Sequence, residues 1–130
     1  MQVILVDAIN TLVIPEKGIY SPLFDLLEEY PNRKIVLTGA NDEEFSYHGL
    51  DKLPYEVFTL KHNPEKSDPK YYEILMLKYK FEVENLIYIE HNLEAIKSAE
   101  SLNLKVFHYD KDMKDIKKLK IFLDYQLIKG

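Results

Sequence analysis

Asp7, Thr38, Lys66, Glu90 and His91 are the side chains of this sequence whose types and settings could do chemistry together. Asp7 follows Val3-Ile4-Leu5-Val6, a short apolar run without polar alternation, which fits a strand buried on both faces. A carboxylate emerging at the end of such a strand is a candidate nucleophile or metal ligand. Read alone, it could equally open a turn. The other residues decide its weight. Thr38 stands where Lys34-Ile35-Val36-Leu37 stops, Lys66 just precedes Ser67-Asp68-Pro69, and Glu90-His91-Asn92 follow the apolar run Leu86 to Ile89. In a parallel sheet all these positions fall on the carboxyl-end rim, where open α/β sheets bind ligands, so residues far apart in sequence converge on one site.

The elements that must position them alternate along the chain. A loop over 11–20 contains Pro15 and Gly18. Ser21-Pro22 reads as an N-cap followed by proline at the first helical position, and Leu23, Phe24, Leu26, Leu27 and Tyr30 form the stripe of a helix ended by Pro31. The strand at 34–37 stops at Thr38-Gly39. Asn41 caps a short helix, Asp42 to Tyr47, which Gly49 ends. A weaker strand over 55–60 is interrupted by Glu56. The helix opened by Ser67-Asp68-Pro69 carries Tyr72, Leu75, Met76 and Tyr79 on one face, as core rather than as a cofactor platform. A strand over 85–89, a helix over 93–101, a strand over 104–109 and an amphipathic helix over 113–128, with Ile116, Leu119, Phe122 and Leu123 inward, complete the chain.

Five strand–helix alternations imply right-handed crossovers and a mostly parallel five-stranded sheet covered on both faces, a three-layer, doubly wound, Rossmann-like α/β domain over 1–130. The first strand is expected at the centre, flanked by those at 34–37 and 86–89. The Glu56 strand is expected in a protected position and the strand at 104–109 in an outer one.

Composition narrows the function. With 130 residues, 46% hydrophobic and 30% charged, the chain is a globular domain of ordinary size. A net charge of −5 argues against sequence-independent nucleic-acid binding, and the basic cluster from Lys111 to Lys120 is interrupted by Asp112 and Asp115. No apolar run approaches the roughly 18 residues of a membrane helix and no signal-peptide pattern opens the chain, so no membrane association and a cytoplasmic location are expected. There is no Cys, hence no disulfide or thiolate metal site. Neither G-x-G-x-x-G nor G-x-x-x-x-G-K-[ST] occurs, which disfavours nucleotide binding through those loops.

In four places, and in order, the sequence resembles the haloacid dehalogenase (HAD) superfamily, most of whose members are phosphatases working through an aspartyl-phosphate. Val3 to Leu12 is similar to the first motif, an apolar strand followed by D-x-D-x-T, with Asp7 at the nucleophile. Leu37-Thr38-Gly39 is similar to the second, a hydroxyl at a strand end. Lys66-Ser67-Asp68-Pro69-Lys70-Tyr71-Tyr72 is similar to the third, K-P-D-P-x-x-[FY], and Ile87 to Ile96 to the fourth, whose acids help hold magnesium. The resemblance implies Asp7, Thr38 and Lys66 as catalytic residues, with Lys61 an alternative to Lys66. It implies Asn10, Thr11, Gly39 and Asn92 on the substrate side, and Asp7, Glu90 and His91 as ligands of Mg2+. The implied chemistry is attack of a carboxylate on phosphorus while a hydroxyl and an ammonium hold the phosphoryl oxygens.

The departures are specific. The acid that family phosphatases carry two residues after the nucleophile, and use to protonate the leaving group, is Ile9. The fourth motif offers Glu90 and His91, and an imidazole suits zinc or a transition metal better than magnesium. His48, His62 and His108 show no partner pattern. Asp7-Ala8-Ile9-Asn10-Thr11-Leu12 is also similar to the D-A-Y-G-T-L of the haloacid dehalogenases themselves, and Asn92 falls near the asparagine of their S-S-N motif. Those enzymes bury their substrate under a cap, and neither the loop after Thr11 nor the span from Gly39 to Tyr55 is long enough for a sizeable one.

Three expectations follow, in descending order. The first is a capless phosphomonoesterase-type hydrolase with an aspartate nucleophile and a degenerate, weak site. The second is an inactive HAD-like binding or regulatory domain. The third is dehalogenase-like chemistry. An open rim suits a phosphorylated small molecule or macromolecule, a protein partner or a second copy of the chain over a small enclosed metabolite.

Overall fold

The computed structural model describes residues 2–128, so residues 1, 129 and 130 of the expected domain span lie outside the described residues. Strand β1 (Val3–Asp7) leads into a small antiparallel hairpin, β2 (Val13–Ile14) and β3 (Gly18–Ile19), where a plain loop was expected. Then follow α1 (Ser21–Glu28), β4 (Lys34–Thr38), α2 (Asp42–Tyr47), β5 (Glu56–Thr59), α3 (Pro69–Tyr79), β6 (Leu86–Glu90), α4 (Leu93–Glu100), β7 (Lys105–His108) and α5 (Ile116–Ile128). The main sheet has the order β5-β4-β1-β6-β7 and every pairing in it is parallel.

Strand β1 is central because it can be buried on both faces. Ile4 and Val6 face a core shared with Leu23, Leu26 and Leu27 of α1 and Leu119 and Leu123 of α5. Val3 and Leu5 face the opposite core, with Tyr71, Tyr72 and Leu75 of α3 and Ala99 of α4. Two helices per face give the three-layer, Rossmann-like α/β arrangement. The chain leaves β1 toward β4 and β5, then returns to build β6 and β7 on the other side. The crevice at the carboxyl ends of β1 and β6 is therefore the topological switch point.

Three expectations need correction. The Glu56 strand is an edge strand, like β7, because five strands centred on β1 leave no protected fourth place; Glu56 is instead engaged by Arg33 and by the Tyr79 hydroxyl, both at 2.8 Å. Ser21 lies inside α1 and Tyr20 is the N-cap, its carbonyl accepting from Phe24 N at 3.1 Å. The last helix starts at Ile116 and not at Met113, since Lys114 has a left-handed φ of 49° and Asp115 Oδ1 accepts from Lys118 N at 3.0 Å, an N-cap contact. Among the described residues no helix is long and apolar enough to cross a membrane.

Candidate functional site

The turn after β1 fixes what surrounds Asp7. Leu12 N donates back to the Asp7 carbonyl at 3.2 Å and Val13 N to that of Ala8 at 2.8 Å, while Asn10 takes a φ of 69°, a left-handed conformation that asparagine tolerates. This fold-back lays Thr11 against the strand end, and its hydroxyl donates to Asp7 Oδ2 at 2.8 Å.

Lys66 reaches the same carboxylate from a tethered loop. Asp68 caps α3 by accepting from Lys70 N at 2.9 Å with Pro69 opening the helix, and the Ser98 hydroxyl of α4 donates to the Ser67 carbonyl. Held between these anchors, Lys66 Nζ lies 2.5 Å from Asp7 Oδ1 and 2.6 Å from Glu90 Oε1. Lys61, the alternative, pairs instead with Asp42 at 3.1 Å.

Glu90 is the last residue of β6 and wholly buried. Its Oε1 accepts from the Tyr88 hydroxyl, two residues back on the same strand face, besides meeting Lys66. Its Oε2 accepts from the backbone N–H groups of His91 and Asn92, both at 3.0 Å, at the start of α4. His91 completes the group with Nδ1 2.5 Å from Asp7 Oδ2 and 3.2 Å from Thr11 Oγ1.

The electrostatics of this buried group are mutual. Burial alone would raise the Asp7 carboxyl, but the Lys66 charge first, and then side-chain hydrogen bonds with His91 and Glu90, hold it well below the usual carboxylate range. Burial works against the Lys66 ammonium, yet the charges of Asp7 and Glu90 keep it above the ordinary lysine value. Glu90 is pushed up, by burial and then by the Asp7 charge, against the pull of Lys66. The bond to Asp7 raises His91 over the opposition of burial, with help from the Asp7 and Glu90 charges.

These side chains floor a pocket of about 370 Å³. Asp7, Asn10, Thr38, Gly39, Lys66, Glu90, His91 and Asn92 all line it, and Ile9 faces it as well. Thr11 does not; it stands behind Asp7, 1% exposed. Thr38 is buried and its Oγ1 accepts from Ala40 N at 3.2 Å, while its own hydrogen meets no acceptor among the described residues. Asn92 is the N-cap of α4, its Oδ1 accepting from Ala95 N at 3.0 Å.

The sequence reading missed the rim. His62 stands there with Nε2 2.5 Å from Glu44 Oε1 and Nδ1 2.6 Å from Glu65 Oε1. A Cβ on Gly39 would meet its ring at 3.4 Å, so the imidazole packs over the end of β4. The bond to Glu44 raises His62 above its ordinary value, resisted by burial and supported by Glu65. Nothing local in the sequence announces this bridge. The Tyr88 contact was readable, because residues two apart on a strand share a face.

Magnesium, which the HAD resemblance implies, is tested by its donors. Asp7, Glu90 and His91 do offer atoms within 4.8 Å of one another. An ionised carboxylate has about four lone-pair sites. Four donors already converge on Glu90, two per oxygen, and three on Asp7. His91 Nδ1, so close to a carboxylate oxygen, carries a hydrogen and has no pair to give. What remains on the two carboxylates is one site on Asp7 Oδ1, the oxygen that Lys66 holds. Two unit charges 4 Å apart repel by about 4 kcal/mol at an effective dielectric of 20, and a dication beside the ammonium would meet more. The residues as arranged do not fit magnesium.

No family model matches this sequence, and no curated protein matches it. Solved structures do. An HAD-family enzyme from Bacteroides thetaiotaomicron, in complex with magnesium and inorganic phosphate, is similar over 72% of this chain and 54% of its own, with a TM-score of 0.60 and 13% identity. The core domain of a provisionally named phosphoglycolate phosphatase from Streptococcus pneumoniae TIGR4 is similar over 84% of this chain and 80% of its own, with a TM-score of 0.58 and 15% identity. The Unknown transcript 4 protein of Saccharomyces cerevisiae is similar over 69% of this chain and 46% of its own, with a TM-score of 0.52 and 8% identity. The chain thus spans about half the length of the first and the third. At these identities the likeness shows the fold alone.

Proposed function

We propose that this chain, whose fold is HAD-like, is a hydrolase of the phosphomonoesterase type in which Asp7 is the nucleophile and turnover is weak. The observation that carries the reading is the Asp7 carboxylate at the carboxyl end of the central strand, on the floor of an open pocket, with Lys66 Nζ 2.5 Å away. Among the described residues Lys66 is the one N–H donor on Asp7 Oδ1, so a lone pair remains for attack.

In the proposed reaction that lone pair forms a bond to phosphorus and the ester P–O bond breaks. Lys66 and the Thr38 hydroxyl hold the phosphoryl oxygens, offsetting their repulsion by the nucleophile. The leaving alkoxide takes its proton from water, since Ile9 stands where an acid would serve and isoleucine has no proton to give. Water then attacks the aspartyl-phosphate, releasing inorganic phosphate and restoring Asp7. The missing acid predicts a substrate order. An aryl phosphate, whose leaving group needs no protonation, is cleaved faster than an alkyl phosphate, and Asp7→Asn cleaves neither. Equal, ordinary rates on both esters would show that another group supplies the proton. The whole protein's substrate is of the phosphorylated class, small molecule or macromolecule, to which the open pocket gives access.

A second reading, a binding or regulatory domain that keeps the fold without turnover, is supported by Ile9 and by the closed pairing among Asp7, Lys66, Glu90 and His91. Failure of the aryl phosphate to turn over in the wild-type protein would favour it.

A further inference from the structure

We infer that this centre works without a divalent cation, Lys66 Nζ and the Nδ1–H of His91 holding the places on Asp7 that a bridging metal would take. The grounds are the positions of donors and acceptors. Lys66 spans the two carboxylates, 2.5 Å from Asp7 Oδ1 and 2.6 Å from Glu90 Oε1, as a bridging cation would. His91 covers the second Asp7 oxygen at 2.5 Å, where the Thr11 hydroxyl also donates.

Glu90 is the part that makes this arrangement permanent. Its carboxylate is held by the Tyr88 hydroxyl and by the backbone N–H groups of His91 and Asn92, so turning toward an incoming ion would break these bonds. It fixes the ammonium instead, in a place 13% exposed at the side chain. An ammonium has three hydrogens. Two go to the carboxylates, and the third makes only a long 3.4 Å approach to the Leu37 carbonyl at the end of β4. That third donor is available to a phosphoryl oxygen arriving between β1 and β4, the task a metal performs where a metal is bound. The chain thus carries its own fixed cation, and its affinity for a soluble one is correspondingly low.

The catalytic side of this inference rests on Asp7 being the nucleophile; the metal side does not, and the test separates them. Chelator-treated wild-type protein is titrated with magnesium and then manganese by isothermal calorimetry. No saturable binding is expected at millimolar ion. Lys66→Met, which removes the Lys66 ammonium from Asp7 Oδ1 and from Glu90 Oε1 together, is expected to bind manganese at least about tenfold more tightly than wild type. If Lys66→Met does not fold, judged by circular dichroism, His91→Leu takes its place, since it removes one of the two donors on Asp7 Oδ2. Saturable magnesium binding by wild type that Asp7→Asn abolishes overturns the inference, and so does failure of the folded variant to gain affinity. In parallel, wild-type cleavage of an aryl phosphate is expected to agree within about twofold in excess chelator and in magnesium. Cleavage that stops in chelator and returns with magnesium also overturns it. Absence of cleavage in both media counts against the proposed hydrolase, and the titration alone then decides the metal question.

Discussion

Asp7 and Thr38 end neighbouring strands of one sheet, yet the chain surrounds them very differently. On the β1–β6 side, Asp7, Lys66, Glu90 and His91 are buried or half-buried and bonded to one another through nearly every polar atom. On the β4 side, the Thr38 hydroxyl hydrogen meets no acceptor among the described residues, and the next charged groups are His62, Glu44 and Glu65, each more than 40% exposed at the side chain. The buried side is over-determined, so its geometry is rigid and its disruption costly. The rim is held by contacts that water and salt compete with, so it can adjust to a substrate at little cost.

The largest effect that tests this contrast is on stability. Lys66→Met strands two buried carboxylates, and breaking a buried ion pair from one side costs about 3–5 kcal/mol. Urea unfolding should show a loss of that size, and Lys66→Met combined with Glu90→Gln should recover part of it. A loss under about 1 kcal/mol would mean that the group is far wetter than its geometry implies.

The fold was legible in the sequence where burial dictated residue type. The continuous apolar runs of β1, β4 and β6 fit strands covered on both faces, and the polar residues ending them fall on one rim. Lys66 was singled out by the likeness of Lys66 to Tyr72 to the third motif, with Lys61 left open, and only the structure shows that Lys66 reaches Asp7 while Lys61 pairs with Asp42. The rim was not, because His62 meets Glu44 across 18 positions through tertiary placement alone. Metal fit was not legible either: Glu90 and His91 have ligand chemistry in the sequence, and only the structure shows their atoms engaged with Lys66, Tyr88, Asp7 and backbone N–H groups. The edge position of β5 escaped because Glu56 was read as an interruption, when it is the outward-facing partner of Arg33.

Next in size is a gain. Ile9→Asp places an acid in the lining of the pocket, and general acid catalysis contributes about 10²- to 10⁴-fold. Alkyl phosphate hydrolysis should rise by at least the lower figure while aryl phosphate hydrolysis changes little, measured as kcat/KM for each. A parallel rise on both would show that Ile9 limits something other than the leaving-group proton.

Tyr88→Phe removes one of four donors from Glu90. Bonds to charged groups are worth about 1.5–3 kcal/mol, so its cost should fall below that of Lys66→Met and above that of any rim change, read from denaturant midpoints. His62→Gln is the smallest, below about 1 kcal/mol. Its signature is the pH dependence. His62 is raised from its ordinary 6.5, so its contribution is full below that value and fades as pH rises through the folded-state value. The stability difference between wild type and His62→Gln should therefore be largest in mild acid and vanish on the alkaline side. A difference that grows with pH would contradict the bridge to Glu44 and Glu65.

The claim that Asp7 is a nucleophile is tested most directly by catching what it forms. Wild-type protein mixed with an aryl phosphate, quenched in acid and examined intact and after digestion by mass spectrometry, should carry one phosphoryl group on Asp7 and lose it on neutral incubation, while Asp7→Asn carries none. Turnover of the aryl phosphate without any adduct, or turnover that survives in Asp7→Asn, would contradict the account.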